Sequence, residues 1–133
     1  DYEKFSTLEE MISFFYHDNY MKNLVNLPEF NPKFTHSQIK ELLENIKNDL
    51  SLDQEEQSWF DNMKSIGEKL GYAPSGKIYK AEPNKYIGSV SDVAEMLRLT
   101  LTGRKNTPNL YWLMKVLTRE ECKNRINYII SLL

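Results

Sequence analysis

At Ser6-x-x-Glu9, Thr35-x-x-Gln38 and Thr118-x-x-Glu121 a Ser or Thr is followed three positions later by Glu or Gln, and an apolar stripe comes next. This is the capping box, in which the two side chains satisfy backbone N–H groups that a helix start leaves unpaired. The stripes that follow have the spacing of one helix face. They are Leu8, Met11, Ile12, Phe15 and Tyr16; Ile39, Leu42, Leu43, Ile46 and Leu50; and Cys122, Ile126, Ile129, Ile130 and Leu133. A chain punctuated in this way folds as packed helices, and no segment shows the two-residue alternation of a half-buried strand.

Other helices fill the spaces between. Asp53 is the expected cap of a helix burying Trp59, Phe60, Met63, Ile66 and Leu70, with Gly71 at the left-handed position beyond its end. Gly67 interrupts it, at a cost of ~1 kcal/mol against Ala. Ser89 or Ser91 caps a helix carrying Val93, Leu97 and Leu101, stopped by Gly103. Thr107-Pro108 reads as an N-cap followed by Pro at the first helical position, with Leu110, Leu113, Met114 and Leu117 on the apolar side. A less regular turn or helix is expected around Tyr20–Leu27, and Pro28 and Pro32 bracket a linker. Residues 72–90 read as one long irregular loop. The expected fold is all-α, an array or bundle of about six helices, with the last two turning sharply at Thr118. Residues 1–34 read as the end of a preceding helical subdomain plus a linker, and residues 35–133 as the C-terminal helical domain.

At 133 residues, 41% hydrophobic and 27% charged, the chain has room for one compact domain, or one domain plus a fragment. No window approaches the ~20 apolar residues that span a membrane, and no secretory signal is visible. The single cysteine, Cys122, excludes an internal disulfide framework and suits a reducing compartment, so a cytoplasmic location is expected. The first residue is Asp1, and we expect the chain to be a piece of a longer protein.

The formal charge of −2 conceals a division. Residues 1–70 hold 7 Lys/Arg and 14 Asp/Glu, a net −7; residues 71–133 hold 10 and 5, a net +5. Such asymmetry fits contact with nucleic acid, and equally two faces that pair with each other.

Catalytic constellations are absent. His17 and His36 lack metal-ligand spacing, and Cys122 lies on an apolar helix face where a structural thiol is expected. Glu9-Glu10, Glu55-Glu56 and Glu120-Glu121 are sequence neighbours, which diverge on a helix and cannot converge on one bond. The five glycines form no phosphate-cradling loop. No catalysis, metal or cofactor is expected within the chain.

The informative window is 98–125, where Arg98, Arg104, Lys105, Lys115, Arg119, Lys123 and Arg125 face only Glu120 and Glu121. Arg104-Lys105-Asn106-Thr107-Pro108-Asn109-Leu110 is a basic loop entering a helix start, where free N–H groups suit anionic and base-edge acceptors. Single-stranded RNA is read by such loops, and a plain capped turn with solvated charges accounts for the same residues equally well.

Leu97-Arg98, Leu101-Thr102-Gly103-Arg104 and Thr107-Pro108-x-Leu110, within 90–110, resemble the C-terminal anticodon-binding region of bacterial glutamyl-tRNA synthetases. Arg119-Glu120-Glu121 and Arg125-Ile126 resemble the family's ending. Trp59-Phe60, Leu70-Gly71-Tyr72-Ala73 and Lys77 to Gly88 resemble a branch with a longer loop, here with Pro83-Asn84 in reversed order. The resemblance implies an all-helical module on the anticodon loop of tRNA(Glu). Its base-contacting positions fall on Arg98, Thr107, Pro108 and Leu110, with Arg104 and Lys105 in the basic loop between. A further family arginine aligns with Lys4, and lysine lacks the bidentate fork. The family's glycine before the last helix is Thr118 here.

The family's class I signatures, of the His-Ile-Gly-His and Lys-Met-Ser-Lys-Ser kinds, are not in this chain. ATP with Mg and the chemistry of glutamate attachment are thus expected in a catalytic domain of the same parent chain, a monomer without membrane contact. Two alternatives stand beside this. One is the helical tRNA-binding portion of another class I synthetase, such as the lysyl type; the other is a protein–protein interaction bundle.

Overall fold

A computed structural model describes residues 26–104 and 109–133. The expected helices from Ser6 to about His17 and around Tyr20–Leu27 lie wholly or almost wholly outside those residues. Among the described residues the fold is helical, with one minimal strand pair.

Helix α1 (His36–Asp49) starts as expected. Thr35 Oγ1 accepts from the Gln38 N–H at 3.1 Å, and the Gln38 side chain accepts from the Thr35 N–H at 2.9 Å. Ile39, Leu42, Leu43 and Ile46 are all buried. Burying a side chain of this size contributes roughly 1.5–3 kcal/mol, so the stripe more than offsets the helix's weak intrinsic propensity.

Helix α2 (Glu56–Lys69) begins later than expected, at an N-cap Glu55 that makes no side-chain cap bond. Asp53 is not the cap, because residues 51–54 are folded back on the helix they precede. Asn62 Oδ1 accepts from the Ser51 N–H at 3.1 Å and from Gln54 Nε2 at 3.0 Å, while the Asp53 N–H donates to Ser51 Oγ. Trp59, Met63 and Ile66 are buried, but Phe60 is 38% exposed and leaves the expected core face. Gly67 has a packing reason. A Cβ there would sit 3.3 Å from Val93 Cγ2 and 3.5 Å from Tyr72 Cβ, so α2 crosses its neighbour at close range. Gly71 closes the helix at φ 102°, the region glycine favours.

The 72–90 segment is more ordered than its composition suggests. Strand β1 (Tyr72–Ala73) pairs in parallel with β2 (Gly88–Ser89), Tyr72 opposite Gly88 and Ala73 opposite Ser89. Helix α3 (Gly76–Ala81), capped by Ser75, connects them. Gly88 is required by space: a Cβ would lie 2.8 Å from Asp92 Oδ2 and 2.9 Å from Phe34 Cζ.

Helix α4 (Val90–Thr102) is capped by Ser89, whose N–H donates to Asp92 Oδ2 at 2.9 Å. Val93, Met96, Leu97, Leu99, Thr100 and Leu101 are buried, so α4 is enclosed on most sides. Buried Thr100 satisfies its hydroxyl on the Met96 carbonyl at 2.8 Å. The helix ends at Gly103, φ 76°.

Helix α5 (Leu110–Leu132) is capped by Asn109, whose side chain accepts from the Trp112 N–H at 3.2 Å. The helix thus starts beyond the expected Thr107-Pro108, a pair outside the described residues. It is broken at Thr118 (φ 75°, ψ 157°), where the Oγ1 accepts from the Glu121 N–H at 3.4 Å. The expected sharp turn and cap are therefore both at Thr118, in a backbone region nearly reserved for glycine. The core runs between α1, α2, α4 and both arms of α5, and Leu27, Phe30 and Phe34 close it at one side. No described helix is long and apolar enough to cross a membrane.

Candidate nucleic-acid interface

The enclosed helix α4 has one long cation near its C-terminal end that does not enter the core. Arg98 follows buried Leu97 and precedes buried Leu99, and its side chain reaches a pocket of about 500 Å³ between α2, α4 and the first turn of α5. Burial pulls its guanidinium below the ordinary arginine value, and the charge of Glu95 opposes that shift. Arginine stays protonated at neutral pH, so the group is a half-buried permanent cation.

Three segments distant in sequence build the walls. Helix α2 contributes Glu56, Gln57, Trp59, Phe60 and Met63; α4 contributes Ala94 beside Arg98; α5 contributes Asn109, Leu110 and Tyr111. Two polar contacts lock the start of α5 onto the first residue of α2 and the segment before it. Asn109 Nδ2 donates to Glu56 Oε2 at 2.8 Å, and the Tyr111 hydroxyl donates to the Gln54 carbonyl at 2.6 Å. The Trp59 and Tyr111 rings meet edge to face at 5.6 Å. Trp59 Nε1 is buried without a hydrogen-bond partner among the described residues. The pocket thus combines apolar walls with a cation, the Glu56 carboxylate that Asn109 holds, and the amides of Gln57 and Asn109. That combination suits a planar heterocycle with acceptors at its edge, as an unstacked nucleobase is.

The expected site residues divide as follows. Arg98 and Leu110 share this pocket, although Leu110 is only 4% exposed and most of its side chain belongs to the core. Arg104 lies one turn beyond, after Gly103, with its N–H donated to Thr102 Oγ1 at 3.0 Å. Lys4, Lys105, Thr107 and Pro108 lie outside the described residues. The pocket's aromatic walls were not foreseen as site residues: the helical stripe assigns Trp59 and Phe60 to the core, and nothing local marks Tyr111 or Asn109.

Arg125 leaves the basic surface altogether. It is 0% exposed, with Nε on Glu121 Oε2 and Nη1 on the Leu101 carbonyl, both at 2.8 Å. The basic stretch before it is unaffected, because no Asp or Glu occurs between Glu95 and Glu120. Cys122 is a buried thiol, its Sγ 3.7 Å from the Met114 carbonyl, and burial pushes its pKa up to about 12. Among the described residues no three metal-ligating side chains cluster.

The family profile described as "Anticodon binding domain" matches residues 87–130, the span of α4, the following loop and α5. Over nearly its whole length the chain is similar to glutamate–tRNA ligases. That of Clostridium beijerinckii is 33% identical over 133 residues, 99% of this chain and 24% of the ligase. That of Clostridium perfringens is 32% identical over 126 residues, 95% of this chain and 23% of the ligase. That of Acetivibrio thermocellus is 26% identical over 121 residues, 91% of this chain and 21% of the ligase. The chain therefore spans about a quarter of the length of these relatives. No solved structure matches it significantly.

Proposed function

We propose that this chain, an anticodon-binding region of the glutamyl-tRNA synthetase type, grips the anticodon loop of tRNA(Glu) for a parent enzyme that attaches glutamate to that tRNA. The observation that carries this is the half-buried Arg98 at an aromatic-walled pocket, on a stretch of chain free of carboxylates. ATP, Mg and the reacting groups belong to a catalytic domain elsewhere in the parent, a cytoplasmic monomer. Residues 35–133 form the recognition domain, and residues 1–34 lead into it from a preceding subdomain.

The mechanism is positional. One base leaves the loop stack and enters the pocket, where its face lies against apolar and aromatic walls. Arg98 donates to its edge, and the amides of Asn109 and Gln57 border the same space. Thr107, Pro108 and the exposed edge of Leu110 contact the neighbouring nucleotides, while Arg104 and Lys105 attract phosphates. Lys4, as a point charge, supports the loop from the preceding subdomain.

The test is binding of the 133-residue chain to an RNA hairpin with the anticodon stem and loop of tRNA(Glu). Losing one base contact costs ~1–3 kcal/mol, so Arg98→Ala should weaken this hairpin by about fivefold or more. Binding to a hairpin with a scrambled loop should change little. Equal losses on both would make Arg98 a phosphate contact, and no salt-dependent binding to either would refute the reading.

A further inference from the structure

The pocket at Arg98 accounts for Leu110 and Tyr111 but not for the residue that follows them. Trp112 is 58% exposed, and Val116, one turn further along the same face, is 61% exposed. Indole surface of this extent is costly to leave in water. The ring is nevertheless held in place. It meets the Tyr111 ring edge to face at 5.1 Å, and Tyr111 in turn meets buried Trp59 at 5.6 Å. Lys115 Nζ sits 5.4 Å from the Tyr111 ring centre. An aromatic row therefore runs outward from the pocket wall to the surface and ends on Trp112.

We propose that Trp112 is a stacking platform for a second unpaired base of the bound RNA, next to the base held at Arg98. The proposal rests on the anticodon-loop reading and extends it to a residue outside the pocket. Charge decides the occupant. The stretch between Glu95 and Glu120 contains Arg98, Arg104, Lys105, Lys115 and Arg119 and no carboxylate. A bare aromatic whose charged neighbours along α5 and the preceding loop are all cations suits a polyanion whose units each carry a π-face, as single-stranded RNA does. The ring is already braced by Tyr111 and by a first turn tied to Asn109, so little side-chain freedom is lost on stacking.

The experiment compares wild type with Trp112→Ala, Trp112→Leu, Trp112→Phe and Arg98→Ala in the 133-residue chain. The ligand is the tRNA(Glu) anticodon hairpin and a set of hairpins with an abasic site at each loop position in turn. Thermal melting checks that each variant is folded. Trp112→Ala and Trp112→Leu should each weaken binding roughly tenfold to a hundredfold, the loss of one base–aromatic stack. Trp112→Phe should stay within about threefold of wild type, since it keeps a π-face. One abasic position should abolish the difference between wild type and Trp112→Ala.

A Leu variant that binds like wild type would overturn the proposal, as would a loss that persists on every abasic hairpin. Unchanged RNA affinity with reduced self-association would assign the face to a protein contact and overturn it too. If Arg98→Ala weakens binding while Trp112→Ala does not, the platform fails and the anticodon reading stands. If the folded wild-type chain binds no hairpin, the anticodon reading itself fails.

Discussion

Arg125 offers the sharpest quantitative test of how this fold holds its recognition loop. The Leu101 carbonyl lies in the last turn of α4, where the helix supplies no following N–H to pair with it. Arg125, arriving from α5, supplies the donor at 2.8 Å and binds Glu121 with its other arm at the same distance. A buried cation thus caps α4 from outside and ties the end of the Arg98 helix to the second arm of α5. Arg125→Met keeps most of the volume and removes the charge. Breaking a buried pair by deleting one partner costs ~3–5 kcal/mol. Glu121 retains 17% exposure and recovers some hydration, so the lower end applies, about 3 kcal/mol. Against a typical domain stability of ~5–15 kcal/mol, this lowers the folded-to-unfolded ratio by roughly 150-fold. Urea denaturation followed by circular dichroism reads this directly, as a lower midpoint with an unchanged slope. Adding Glu121→Gln should recover at least about 1 kcal/mol, because the orphaned carboxylate is neutralised. A loss below about 1 kcal/mol for Arg125→Met, or a double variant no better than the single, would refute the argument.

Thr118 occupies a backbone region that costs a non-glycine residue roughly 1–3 kcal/mol, whereas replacing a Thr cap by Gly costs only a few tenths. Thr118→Gly should therefore raise the thermal midpoint, and a lower midpoint would show that the hydroxyl on Glu121 outweighs the strain. Burial pushes the Cys122 thiol and the Tyr72 phenol each up to about 12, from 9.0 and 10.0. The unfolded chain thus loses these protons first, and stability should fall as pH rises from about 9 towards 12. Urea titrations across that range measure the slope, and alkylation of Cys122 should be slow until the chain is denatured.

The parts of this fold legible in the sequence are those decided within one helical turn. Thr35 with Gln38 is a complete local device, and the Ile39 to Ile46 stripe needs only a core to face. The errors arise where a distant partner outbids a local signal. Asp53 has the chemistry of a cap, but Asn62 draws its segment back along α2 before the helix can start. Tyr72–Ala73 and Gly88–Ser89 are too short for alternation to register, and they pair only because α3 returns the chain alongside itself. The site follows the same rule. Arg98 could be singled out because it opens the basic window and the Leu97-Arg98 pair resembles a base-contacting position of the synthetase family. Its surroundings could not, because residues 56–63, 94–98 and 109–111 meet only in three dimensions. Arg125 shows the converse, since a cation in a basic window reads as surface charge until the Leu101 carbonyl is seen to claim it. The electrostatic argument for RNA then depends on continuity more than on number. Taking Arg125 out of the surface count costs it nothing, because the acid-free stretch ends at Glu120, before that residue, and still brackets Arg98, the basic loop and Trp112.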